Sequence, residues 1–140
     1  MREAALPLEV EVGDSIEVVL PFLPKSKNQL NAMPSLHRRS YEDKWRAHLR
    51  RQLAGVGQYD SVEVEMELWF TSKHRRDWQN YAMHTINILA DALVRARVIP
   101  DDTPEHFRVG PNAGIVFMVD SNKLQTVKDR QRTVIRITPS

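Results

Sequence analysis

Residues 62–70, VEVEMELWF, alternate apolar and polar positions along most of their length. Val62, Val64, Met66, Leu68 and Phe70 fall on one face and Glu63, Glu65 and Glu67 on the other, so the period of two predicts a half-buried strand. Upstream, Tyr41, Trp45, Leu49 and Leu53 recur every four residues, the apolar stripe of a helix. Ser40 with Asp43 three positions later reads as a capping box that starts this helix, and Gly55 and Gly57 end it. A second helix is expected from about Asn80 to Val98, because Ala82, Ile86, Leu89, Ala90, Leu93 and Val94 repeat at spacings of three and four. Its other side carries a polar stripe of Asn80, His84, Asn87, Asp91 and Arg95. Pro100 closes it.

Residues 9–20, EVEVGDSIEVVL, form two apolar/acidic runs around Gly13-Asp14 and predict a hairpin. Strands are also expected near 115–119 and 133–138, joined by the polar stretch SNKLQTVKDRQR. Residues 23–39 hold two prolines and many polar side chains and read as a long loop, a kind of segment that tends to be functional or mobile. The order of elements predicts an α+β (mixed α/β) domain, one mixed β-sheet packed by two main helices. Residues 16–140 are expected to form it, with 1–15 as an N-terminal extension contributing an extra strand.

The chain has 140 residues, enough for one domain with its own core. It contains no cysteine, which excludes disulfides and thiolate zinc sites. Acidic residues interrupt the N-terminal stretch MREAALPLEVEVGD, and no apolar run approaches the roughly 18 residues of a membrane span. A soluble, cytoplasmic protein of a bacterial or phage-infected cell is the expectation. The net charge is only +2, so the distribution of charge says more than its sum. Basic clusters occur at Lys25/Lys27, Arg38/Arg39, Arg50/Arg51 and in the run Lys73-His74-Arg75-Arg76.

That last run leads into Asp77, Gln79 and Asn80 at the head of the second helix, and Asp101-Asp102 follow its end. Mg²⁺-dependent phosphodiester hydrolysis needs oxygen ligands, chiefly carboxylates, beside the scissile phosphate. A helix of roughly 18 residues is about 27 Å long. Asp77 and Asp102 can share an ion only if the chain doubles back after about residue 95, or if Asp77 reaches along the polar stripe. The spacing leaves ordinary roles open: Asp77 as a helix cap, Asp101-Asp102 as a turn, Asp91 and Arg95 as a helical ion pair, His84 as a structural side chain, Trp78 as packing.

Pro24, Ser26 and Asn28 after the first strand, Arg75, Arg76, Asp77 and Asn80 before a helix, Asp91-Ala92-Leu93 within it and Asp101-Asp102 beyond it resemble, in that order, the RusA family of Holliday junction resolvases. The resemblance extends over about residues 16–138. It implies a RusA-like mixed fold, a homodimer that binds four-way DNA junctions in recombination and repair, and Mg²⁺-dependent nicking of two opposed strands, with Mn²⁺ as a substitute. Phage and prophage genomes are the family's usual home. Carried over by position, the catalytic and metal-binding aspartates are Asp77 and Asp102, and the family's second aspartate falls on Gln79; on this reading Gln79 and Asp101 complete the catalytic shell. The family's lysine falls on Met83 or Asn87, depending on the direction of counting. On this reading DNA contacts fall to the basic clusters Lys25, Lys27, Lys73, Arg75 and Arg76 and to Asn28 and Asn80. Gln79 and the missing lysine also point to an alternative, a junction-binding protein with little nuclease activity.

Overall fold

The computed structural model describes residues 15–140, so the strand expected over residues 9–12 and its hairpin turn lie outside the described residues. The described chain is an α+β fold in which one mixed five-stranded sheet is packed by helices. Its centre is β2 (Val62–Phe70), whose alternation is realised residue by residue: Val62, Val64, Met66, Leu68 and Phe70 are buried. β5 (Arg132–Pro139) pairs antiparallel with β2 on one side and with β1 (Ile16–Leu20) on the other. The opposite edge of β2 is shared by two short parallel strands, β3 (Phe107–Val109) and β4 (Ile115–Val119). The expected strands at 115–119 and 133–138 are therefore present, and β3 is an addition.

Between β3 and β4 the chain makes a tight turn over Pro111–Gly114, with Asn112 and Ala113 in left-handed conformations (φ 56°), that presses against β2. Gly114 has φ +75°, and a Cβ there would stand 2.6 Å from the Val64 carbonyl oxygen. Gly55, just past the long helix Ser35–Leu53, has nearly the same φ, +76°, but open space around it. Gly55→Ala should therefore cost about 1–2 kcal/mol for left-handed backbone alone, and Gly114→Ala distinctly more. Urea unfolding of the two variants measures the difference, and equal midpoints would contradict the close approach at β2.

The apolar face of the sheet is covered by α2 (Ser35–Leu53) and α3 (Gln79–Arg95). Tyr41, Trp45, Leu49 and Leu53 of α2 are all buried, as their spacing predicts. Two expectations are corrected upstream. The segment 23–39 is not a continuous loop, because α1 (Lys27–Ala32) forms within it. Ser26 and Gln29 make the capping box: the Gln29 N–H donates to Ser26 Oγ at 3.3 Å and the Ser26 N–H to Gln29 Oε1 at 2.8 Å. Moreover, α2 starts at Ser35 rather than Ser40, since Pro34, with φ −59°, sets the backbone that enters the helix.

The other long helix ends earlier than its apolar pattern predicts. Arg97 takes a left-handed conformation (φ 59°), and the Val98 N–H donates to the Leu93 carbonyl at 2.9 Å while Arg97 N–H donates to Val94 at 3.0 Å. This pair of bonds is a Schellman stop, here achieved without glycine. A last short helix, α4 (Val127–Arg130), capped by Thr126, occupies part of the polar stretch before β5.

Behind the core, the outward face of the sheet is charged. Arg136 lies 3.4 Å from both Glu17 and Glu67, one residue on each neighbouring strand. These cross-strand pairs are partly exposed and contribute on the order of 0.2–1 kcal/mol each. No helix among the described residues is long and apolar enough to cross a membrane.

Candidate nucleic-acid interface

β1 and β2 both run antiparallel to β5, and β4 runs parallel to β2, so the C-terminal ends of β1, β2 and β4 lie at one end of the sheet. Three connections converge there: residues 21–26 after β1, 71–78 after β2 and 120–131 after β4. The N-termini of α1 and α3 open onto the same end. This is where segments far apart in sequence bring their basic side chains together.

Lys25, Lys27 and Arg38 line a groove of about 200 Å³ with Gln79, Asn80 and His84 of α3. None of the side chains lining it is a carboxylate. Asn80 and Tyr81 form the wall between this groove and a second hollow, lined also by Arg75, Arg76, Asp77 and Trp78. Asn28 and Lys73 are exposed and border neither hollow. Arg76 is held in place: its Nη1 donates to the carbonyls of Ser72 (3.1 Å) and His74 (3.2 Å), and its guanidinium lies 3.7 Å from the centre of the Phe70 ring. The loop Lys73–Arg76 thus takes its shape partly from one of its own cations.

Asp77 stands at the mouth of the second hollow, exposed, and its Oδ1 accepts the Gln79 N–H at 3.0 Å. That is an Asx turn at the helix entrance, the modest capping role its position allows. Asp101 Oδ1 accepts the N–H of the next residue, Asp102, at 2.8 Å. The two sites do not meet. α3 has 17 residues, about 25 Å of helix, and separates them. After Arg95 the chain leaves the helix but runs along the other end of β2, where the Tyr59 N–H donates to Val98 O at 2.7 Å and the Val62 N–H to His106 O at 2.9 Å. Mg²⁺ needs several oxygen ligands in one place. Among the described residues no three histidine, aspartate or glutamate side chains come together to supply them. Asp77, Gln79, Asp101 and Asp102 of one chain therefore do not fit a shared Mg²⁺ site.

No protein-family model matches the chain, and no curated protein matches it. The site is therefore described by its own residues. Arg38 belongs to the groove, although only its basic pairing with Arg39 marks it in the sequence. Asp91 and Arg95 pair at 2.9 Å as a helical i,i+4 ion pair, and Trp78 packs partly against the core.

His84 lines the groove and also packs between α2 and α3. Its Nε2 lies 3.0 Å from Glu42 Oε2 without the alignment of a hydrogen bond, and its ring stacks on Tyr41 (6.2 Å, 20°). Tyr41 in turn accepts the Lys25 N–H at 2.9 Å, linking the α2/α3 contact to the groove loop. Burial lowers the His84 pKa, the nearby Glu42 opposes this, and Arg38 and Arg46 add to the lowering. A lowered value means that the unfolded chain binds the proton more readily. Stability is therefore full above the ordinary imidazole value near 6.5 and is lost as pH falls through it toward the folded value. His48, lowered chiefly by burial, acts in the same direction over the same range, whereas Asp120, lowered chiefly by the Asn122 N–H, loses its contribution only as pH falls below the ordinary carboxylate value near 3.8. The expected result is a urea midpoint that drops between about pH 7 and 5, with a shallower drop in His84→Gln. An unchanged slope in that variant would remove His84 from the account.

Proposed function

We propose that this chain is a RusA-like protein that binds branched DNA through the basic groove at the head of α3. The observation that carries the reading is the convergence of Lys25, Lys27 and Arg38 with Gln79 and Asn80 in one carboxylate-free groove, beside the basic loop Lys73–Arg76. Phosphates are held by such lysines and arginines whatever the base sequence. The resemblance of Arg75, Arg76, Asp77 and Asn80 at this end of the sheet to the RusA family supplies the substrate class, a four-way junction, and the expectation that a homodimer binds it.

Endonucleolytic cleavage is the second reading. What favours it is the position of Asp77, exposed between Arg76 and the first turn of α3, where a bound phosphate would lie. Against it stand the neutral Gln79 and the distance to Asp101-Asp102. A gel shift of a synthetic four-way junction against linear duplex of the same sequence tests the first reading. Junction binding that survives excess linear competitor is expected, and equal affinity for the two shapes would sink it. The same reactions with Mg²⁺ or Mn²⁺ test the second, comparing the unaltered protein with Gln79→Asp and Asp102→Asn. Paired nicks abolished by Asp102→Asn establish a resolvase; tight binding without nicks leaves a junction-binding protein.

A further inference from the structure

Beside the groove, and sharing Lys25 with it, lies a larger cleft of about 480 Å³ between the loop after β1, α2, and the connection from α4 to β5. This volume falls in the range of roughly 300–1,000 Å³ typical of small-ligand sites. Its walls combine two chemistries. Phe22, Tyr41 and Tyr81 contribute aromatic surface; Lys25, Lys44 and Lys128 contribute positive charge; and none of the lining residues is acidic. Lys44 and Lys128 are exposed, and Lys44 holds its Nζ 4.2 Å from the centre of the Phe22 ring.

The aromatic side chains are braced from behind. Phe22 meets Trp45 edge to face (5.2 Å, 70°), and Tyr81 meets Phe70 (6.1 Å) and Phe117 (5.8 Å) in the same way. The loop bearing Lys128 is tied down where Arg130 Nη1 donates to Asp120 O at 3.0 Å and Arg132 Nη1 to Asp120 Oδ2 at 2.9 Å. A fixed aromatic surface with flexible, exposed cations beside it matches an aromatic base joined to a phosphate. Duplex DNA, its bases stacked inside, offers only the phosphate.

We propose that this cleft binds a single unstacked nucleotide, its base against Phe22 and Tyr81 and its phosphate at Lys44 and Lys128. The proposal rests on the reading of the adjoining groove as a DNA surface for its choice of source, an unpaired residue in a strand rather than a free mononucleotide. Base stacking on aromatic side chains is largely indifferent to sequence, and the phosphate term is sensitive to salt. The site would favour junctions and single strands over closed duplex.

The test uses the full chain with three probes: an oligothymidylate carrying 5-iododeoxyuridine, a linear duplex, and thymidine monophosphate as competitor. Lys44→Gln/Lys128→Gln, both exposed and outside the groove, should weaken oligothymidylate binding about tenfold while duplex binding changes by less than about twofold. Photocrosslinking of the unaltered protein should mark Phe22. Equal losses for strand and duplex, no loss for either, or crosslinks confined to other residues would each overturn the proposal. Displacement of the crosslinked strand by the mononucleotide supports the site and adds the free nucleotide as an occupant; persistence of the crosslink supports the strand alone. Junction indifference with a Phe22 crosslink removes the groove reading and keeps the cleft, whereas junction binding without that crosslink does the reverse.

Discussion

Replacing Lys25, Lys27, Lys73 and Arg75 together by glutamine should flatten the salt dependence of junction binding far more than any other surface change. Each phosphate contact contributes about 0.9 to the slope of log affinity against log salt, so four lost contacts lower it by about 3–4. Between about 50 and 200 mM salt this corresponds to roughly a hundredfold difference in how much affinity falls. Arg76 is deliberately left in place, because its bonds to Ser72 and His74 and its stack on Phe70 hold the loop. Anisotropy titrations at several salt concentrations measure both slopes. An unchanged slope would move the phosphate surface elsewhere on the molecule, whereas a fall of about 2 would mean that only the lysines bordering the groove act.

The prediction depends on residues whose assembly could be read only in part from the sequence. Lys25 and Lys27 can be named there as a basic cluster and Asn80 because a resemblance singles it out, and the fold gathers them into one groove. Arg38, Lys44 and Lys128 cannot be told from ordinary solvated cations until α2 is extended back to Ser35 and the loop after β4 is placed at the same end of the sheet. Asp77 and Asp102 show the opposite limit. Their separation by α3 follows from helix length alone, and the escape the sequence leaves open, a chain doubling back after residue 95, fails in direction. The chain does leave the helix at Arg95, but Arg97 turns it toward Tyr59 at the far end of β2.

The core was more legible because its periodicities are undiluted. β2 alternates through nine residues, and the stripe of α2 repeats through four turns with large side chains. On α3 the pattern is denser in apolar residues, and the buried face is turned slightly: Thr85 and Ile88 lie deeper than Ile86 and Val94. α1 escaped notice for a different reason. It is six residues long with a single buried side chain, Leu30, so it has no stripe, and only Ser26-x-x-Gln29 marks it. β3 has three residues, too few to alternate.

The largest fully buried side chain among those legible positions carries the largest stability effect. Trp45→Ala should cost about 3–5 kcal/mol, a large share of the roughly 5–15 kcal/mol that holds a domain folded. Trp45 is fully buried, between Phe22 at 5.2 Å and Tyr41 at 6.3 Å, both edge to face. Such aromatic pairs add about 0.5–1.5 kcal/mol beyond the area they bury. Its indole Nε1 has no hydrogen-bond partner, however, and a buried orphan donor costs about 1–3 kcal/mol. Trp45→Phe removes that donor along with one ring, so the two effects oppose each other and the net cost should be well under half that of alanine. Urea unfolding of the three proteins separates volume from polarity. If phenylalanine is as damaging as alanine, the cavity argument fails, and the orphan donor must have a partner in the folded protein. If phenylalanine is nearly neutral, the indole is retained for the shape it gives the wall behind Phe22 rather than for stability. Nucleotide binding in Trp45→Phe should then weaken while the fold persists, because Phe22 would lose the surface that fixes its ring.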